Sequence, residues 1–390
     1  MPSDRLFGPS STTSEMADAV SDHAWLAAML EFEAALAGAE AAAGLIPAEA
    51  AAAIAGACDP SRFDLEQLGR HAVASGTPVL PLVAAIRAAV PGEAEEYVHF
   101  GATSQDAVDT ALMLVARRAL DLLLADLEAL VHACLHLVRE HRLTPMAGRT
   151  LLQQAVPTSF GLKAVNWMMG ADEAADGLLR FRRHRLAIQL GGAAGTLAGL
   201  GGKGLDVAAA LARELDLADP GTPWHSERSR VVQLGGAVAV AAGAAGKIAL
   251  DVILLSQSEV GEVAVAEAGR SSAMPHKRNP VAAIEADACV RGALAQVSIL
   301  VGAQRVEHER AAGAWQAEWP AVSEAFRLTA GAVRRTRSAV EGLRVDRERM
   351  RSNLELGGGF DPAREPAEQL GEAEAMIDRA LAEHRARRHP

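Results

Sequence analysis

The stretch EAGRSSAMPHKRNP, residues 267–280, sets two hydroxyls, an imidazole, an ammonium, two guanidiniums and an amide between glycine and proline. Asn279 followed by Pro280 reads as a helix N-cap and first helical residue, so a helix over VAAIEADACVRGALAQ is expected to start there. Lys277 and Arg278 then stand at the positive end of the helix dipole, where free backbone N–H groups favour anions. Ser271 and Ser272 lie just upstream, on a loop able to close over a carboxylate. A solvated Ser/Lys turn capping a helix uses the same residue types.

A second polar island, HFGATSQDAVDT, runs from His99 to Thr110. Thr103, Ser104 and Gln105 at a helix start make another anion-binding geometry, or an N-cap with Asp106 and Asp109 in the first turn. The third island, MAGRTLLQQAVPTSFG, sets Arg149, Gln153, Gln154 and Thr158 in an apolar context broken by Pro157. QLGGAAGTLAGLGGKG has the glycines of a phosphate loop but no preceding strand and no GK[ST]. His132, His136 and Glu140 have metal-ligand spacing on one helix face, although solvated or packing roles account for them better. Arg305, His308, Arg310, Trp315 and Glu318 read as one helix, whose charges suit either a site or a buried ion-pair network.

These islands need elements to hold them. Alanine and leucine dominate and aromatics are 4% of the chain, which favours helix throughout. Residues 105–142 read as one rod, roughly 55 Å long. Prolines are expected to mark helix edges: further proline-free reaches run from near Ser229 and from Val281 to Trp319, just before Pro320, and a last helix is expected over 366–388. Rods that are apolar on more than one stripe must be buried on more than one side, which points to a large bundle or to bundling between subunits.

With 390 residues, 50% of them hydrophobic, the chain can bury substantial cores. A net charge of −11 argues against general nucleic-acid binding and against adhesion to anionic membranes. Cys58, Cys134 and Cys289 are far apart and form no CxxC pair, as expected of reduced thiols in the cytoplasm. The N-terminus has no signal-peptide pattern, and the Ala/Gly-rich runs read as too weakly apolar to span a bilayer.

With the islands in view, the sequence resembles the fumarase/aspartase superfamily. Ser271, Met274, Lys277 and Asn279 occupy its signature loop G-S-x-x-M-x-x-K-x-N. HFGATSQDAVDTAL, GRTLLQQAVPTSFGLK, SSAMPHKRNP and EHERAAGAWQAEWP are similar to the bacterial 3-carboxy-cis,cis-muconate cycloisomerases of protocatechuate (β-ketoadipate) catabolism. The resemblance implies an all-α, three-domain homotetramer: an N-terminal helical domain over 1–98, a central long-helix bundle over 99–345 that makes the tetramer, and a C-terminal domain over 346–390. It also implies active sites shared between subunits, a small di- or tricarboxylate substrate, and no metal or cofactor.

Carried over by position, Ser271 is the base in elimination and the proton donor in lactonisation, with Ser272 beside it and Lys277 stabilising the aci-carboxylate intermediate. His99, Thr103, Ser104, Gln105, Arg149, Gln153, Gln154, Thr158, Met274, Asn279 and Arg310 are the implied substrate contacts. Departures are Leu151 where relatives carry histidine or tryptophan, Arg270 for the signature glycine, PWHSERSR for PWHTQRDR, and roughly sixty residues missing between GGGF and DPAREP. Two other readings keep the fold: a lyase eliminating from a substituted succinate such as nitrosuccinate, and a non-catalytic scaffold.

Overall fold

The computed structural model describes residues 4–266, 269, 270, 274, 277–357 and 359–388. Five long helices form the body: a first rod over Ser104–Glu140, a second over Phe160–His184, a third over Ser229–Leu255, a fourth over Val281–Gly302 and a fifth over Ala314–Glu341. The first packs on the second and fifth; the third packs on the second, fourth and fifth; the fourth packs on the fifth. The first rod contains neither glycine nor proline, and most of its Leu, Val and Ala side chains are buried.

Small residues set how closely the other rods approach. A Cβ on Gly292 would stand 2.9 Å from Leu328, and one on Gly246 would stand 3.0 Å from Val290. Glycine at these crossings lets side chains of the facing rod sit against bare backbone.

Apolar surface remains outside this core. Val240 and Leu250 on the third rod are 56% and 44% exposed, and Ile284, Leu294, Ile299 and Val301 on the fourth are exposed as well. The third rod is long and apolar enough to cross a membrane by length and composition, against the expectation from its Ala/Gly content. Half of its apolar window is buried against neighbouring helices, as in the core of a globular protein.

Around the rods, the helix Asp22–Ala42 lies on the first rod, and a shorter helix, Val79–Ala89, packs near its N-terminal end. The last helix, Ala373–Arg388, lies on the second rod, with His384 Nδ1 3.0 Å from Asp172 and Arg387 3.0 Å from Glu173. Among the described residues three two-stranded antiparallel ribbons interrupt the helical fold: Pro145–Thr150 with Gln153–Ser159, Val263–Val265 with Leu343–Val345, and Gly269–Arg270 with Arg278–Asn279.

Four local expectations need correction. The reach from Val281 to Trp319 is two helices, because the chain leaves the fourth rod after Gly302 and turns through His308 and Gly313, both at positive φ. Pro320 then sits inside the fifth rod rather than at its edge. Asn279 is no N-cap: its backbone pairs with Gly269, and Pro280 takes the cap position ahead of Val281. Residues Pro366–Gln369 form a separate short 3-10 turn before the last helix.

Candidate functional site

The first island is built on the N-terminus of the first rod. Thr103 is its N-cap, and its backbone N–H donates to Asp106 Oδ2 at 3.0 Å, one arm of a capping box. The two Asp106 oxygens take three more donors: the N–H groups of Gly191 and Gly192, each at 2.9 Å, and His225 Nε2 at 2.7 Å. Asp106 thus ties the glycine-rich loop after residue 190 to the rod. A Cβ on Gly192, at φ +68°, would lie 2.8 Å from the Gly101 carbonyl, so this close approach needs glycine.

One turn along the rod, Asp109 anchors a fully buried charge network. Arg228 donates to Asp109 at 2.7 and 3.0 Å and clamps Glu318 with its Nε at 3.0 Å and its Nη2. Trp315 Nε1 and Gln105 Nε2 also donate to Asp109, at 3.0 and 3.1 Å, and the Arg228 guanidinium lies 4.9 Å from the Trp224 ring centroid. Burial opposes the charge on Arg228, but the two carboxylates outweigh it and raise its pKa further. Removing Arg228 would leave two buried carboxylates without a cation, so the guanidinium ties the first rod to the fifth as a rigid platform.

The platform relocates several expected contacts. Gln105, expected to face a ligand, is fully buried and donates to Asp109 and to the His225 carbonyl. Trp315 and Glu318 do belong to a buried network, but Arg310 leaves their helix for the preceding turn. From there Arg310 reaches Thr103 Oγ1 at 2.5 Å and the Ala193 carbonyl at 3.0 Å, which brings it to the first island.

His99 and Ser104 line a cavity of about 470 Å³ with Arg87 and Glu95. Its opposite wall is apolar, formed by Val79, Leu80, Val83 and Ala84 of the helix Val79–Ala89. His99 Nδ1 is 2.7 Å from Glu33 Oε1. Burial favours neutral His99, but the Glu33 charge and hydrogen bond, helped by Asp106 and opposed by Arg87, raise its pKa above the ordinary value. The site therefore offers a cation, a hydroxyl and a helix N-terminus beside an apolar wall, a fit for a carboxylate on a small hydrocarbon body.

The third island is a β-hairpin. Arg149 is no free anion receptor: it makes a bidentate pair with buried Glu262 at 2.9 and 2.6 Å, and Asn353 donates to the same carboxylate at 2.9 Å. Gln153 and Gln154 are exposed, and Thr158 is half-buried opposite Met146. At the tip, Leu151 and Leu152 both hold positive φ, +49° and +65°, and are 97% and 77% exposed. Bulky residues rarely adopt this conformation, which hairpin turns normally fill with Asn-Gly.

Ser271 and Ser272 lie outside the described residues. Of the signature loop, Met274 and Lys277 are exposed and Asn279 is half-buried, with the Lys277 N–H donating to the Met274 carbonyl at 3.0 Å. Among the described residues no three His, Cys, Asp or Glu side chains are grouped to hold a metal ion. His136 instead lies 3.5 Å from Glu140 on an open face.

The islands separate along the rods. The first sits at the start of the 37-residue first rod, and the hairpin follows its far end, about 55 Å away at 1.5 Å per residue. The signature loop shares the hairpin's end, because Glu262, which holds Arg149, precedes that loop by only a few residues. Sequence reading missed Glu33, Arg87, Glu95, His225, Arg228, Glu262 and Asn353 as contributors. A visible signal was the pair of glutamates Glu33 and Glu40, seven apart on the face of a helix whose buried residues are otherwise apolar.

A lyase family model matches residues 8–298. The chain is 45% identical to a 3-carboxy-cis,cis-muconate cycloisomerase of Bradyrhizobium diazoefficiens, over 97% of this chain and 87% of that one. It is 47% identical to a nitrosuccinate lyase of Streptomyces davaonensis, over 91% of this chain and 77% of that one. The crystal structure of a 3-carboxy-cis,cis-muconate lactonizing enzyme from Pseudomonas putida superposes with a TM-score of 0.90 at 37% identity, covering 98% of this chain and 99% of that one.

Proposed function

Because this chain belongs to the lyase family, within the fumarase/aspartase superfamily, we propose that it is a 3-carboxy-cis,cis-muconate cycloisomerase of aromatic catabolism. The observation that carries this reading is the end-to-end likeness to such cycloisomerases in both sequence and fold. The separation of the islands adds a structural reason for a shared site. A site that uses the first island together with the hairpin and the signature loop draws them from different copies of the chain, in a cytoplasmic homotetramer without membrane or nucleic-acid partners. The exposed apolar stripes on the third and fourth rods supply surface for that assembly. The three-part division at 98/99 and 345/346 and the shortened C-terminal domain belong to the same reading.

In the reaction, one substrate carboxylate oxygen adds to a carbon of the diene. The displaced electron pair moves to the carbon beside another carboxylate, giving an aci-carboxylate that takes a proton from the Ser271 hydroxyl and completes the lactone. Lys277 and Asn279 of one chain hold the carboxylate whose charge grows. His99, Thr103, Ser104 and Arg310 of another hold a second carboxylate against the first rod's N-terminus. No metal or cofactor takes part.

The test mixes the purified protein with 3-carboxy-cis,cis-muconate and follows loss of the diene's ultraviolet absorbance, with and without EDTA. Turnover is expected in both conditions, and Ser271→Ala is expected to lower it by at least about a hundredfold without unfolding the protein. Near-normal turnover by the variant removes Ser271 from the mechanism. Elimination from nitrosuccinate is the second reading, favoured by the Streptomyces relative and by Leu151; release of nitrite without loss of the muconate diene selects it.

A further inference from the structure

The helix Asp22–Ala42 is built of alanine, leucine and phenylalanine where it meets the core, yet it buries Glu33 and Glu40 two turns apart. Glu33 Oε1 holds His99, and the Glu33 side chain is 0% exposed. Neither Glu40 oxygen has a hydrogen-bond partner, and Glu33 Oε2 has none. A buried carboxylate without a partner neutralises instead of paying the cost of an isolated charge. Burial first, and the Glu33 charge second, push the Glu40 pKa up to about 9. Cys58 stays a thiol for the same two reasons. Of the cluster, Glu33 is the member with a side-chain partner, His99 at 2.7 Å.

We propose that Glu33 is a positioning residue for the cavity beside the first rod: seated behind His99, with neutral Glu40 below it, it holds the imidazole as a cation against which a substrate carboxylate binds. This rests on the reading of the ligand as a small di- or tricarboxylate. The groups facing His99 come from every neighbouring element: Glu33 from the helix Asp22–Ala42, Arg87 from the helix Val79–Ala89, Glu95 from the turn before His99, and Ser104 and Asp106 from the first rod. Arg87 is anchored on the Val98 carbonyl at 3.2 Å, so His99 and Arg87 flank the same opening with Glu95 limiting their net charge. Without Glu33, burial is the largest remaining influence on His99 and makes the ring neutral near pH 7.

The experiment uses the intact oligomer with carbon-labelled histidine rings, His99 being assigned from the spectrum of His99→Asn. Ring titration, kcat/KM for 3-carboxy-cis,cis-muconate and calorimetric affinity for tricarballylate, an unreactive tricarboxylate, are measured across the neutral range. In Glu33→Gln the His99 titration is expected to move down by at least about one pH unit, and the alkaline limb of kcat/KM to move with it. Near pH 7.5 KM rises roughly tenfold while kcat changes little, and tricarballylate affinity falls by a similar factor.

Glu33→Asp, which keeps the charge, is expected to retain the wild-type limb, and this separates loss of charge from misfolding. In the His99→Asn background, Glu33→Gln should leave KM and tricarballylate affinity unchanged. An unmoved His99 titration overturns the proposal. So does a shifted titration with an unmoved affinity, or an equal loss of affinity in the His99→Asn background. A wild type that binds tricarballylate with the expected dependence but leaves the muconate intact refutes only the choice of substrate.

Discussion

Asp106 and Asp109 are three residues apart and each spends its whole acceptor capacity inside the protein, Asp106 on backbone N–H groups and His225, Asp109 on Arg228, Trp315 and Gln105. They hold the ligand-facing residues of the first island without facing a ligand themselves. Glu40 shows the opposite economy, a carboxyl with no partner. Its folded pKa of about 9 lies above the 4.5 of an ordinary glutamate, so across that window the folded chain keeps a proton that the unfolded chain has released. Stability is then highest below the unfolded value and falls as pH rises towards about 9. Glu40→Gln, neutral at every pH, should remove that fall. Urea midpoints near pH 5 and near pH 8.5 are expected to agree with wild type at the first and exceed it at the second; an equal change at both would show that Glu40 does not carry the proton.

At the scale of elements, the helices were legible because their signals are local. The first rod was expected over 105–142 and runs Ser104–Glu140, set by a capping residue at one end and the absence of glycine and proline within. The hairpin was not legible, since two leucines at its tip are the wrong residues for its turn. Holding both at positive φ costs roughly 1–2 kcal/mol per residue. Leu151→Asn with Leu152→Gly should relieve that strain while deleting the apolar tip. The unfolding midpoint is expected to hold or rise, and kcat/KM to fall at least about tenfold. A lowered midpoint with unchanged kcat/KM would mean that the leucines serve packing alone. Asn279 and Pro320 were misread for a related reason: a strand pairing across the loop and the packing of the fifth rod overrode residue preferences that are only local.

At the scale of the molecule, the length of the first rod is the reason for the proposed shared site. Islands about 55 Å apart on one chain meet only if copies pack side by side in opposite directions. For the proposed homotetramer, sedimentation should give four chains of 40.7 kDa each, and diluting the protein until it dissociates should abolish turnover. A monomer with full activity would contradict the shared site.

The sequence by itself determined the helical class, the positions of the long rods, the three polar islands and the family likeness, because each of these is written in contiguous residues and in periodicity. Only the tertiary structure decided which polar side chains are spent on one another. Glu33 lies 66 residues from His99, Asp109 lies 119 from Arg228, and Arg149 lies 113 from Glu262. No local preference encodes such pairs. They arise because burying the rods removes water from every polar group between them, and each group must then find a partner or, like Glu40, keep its proton.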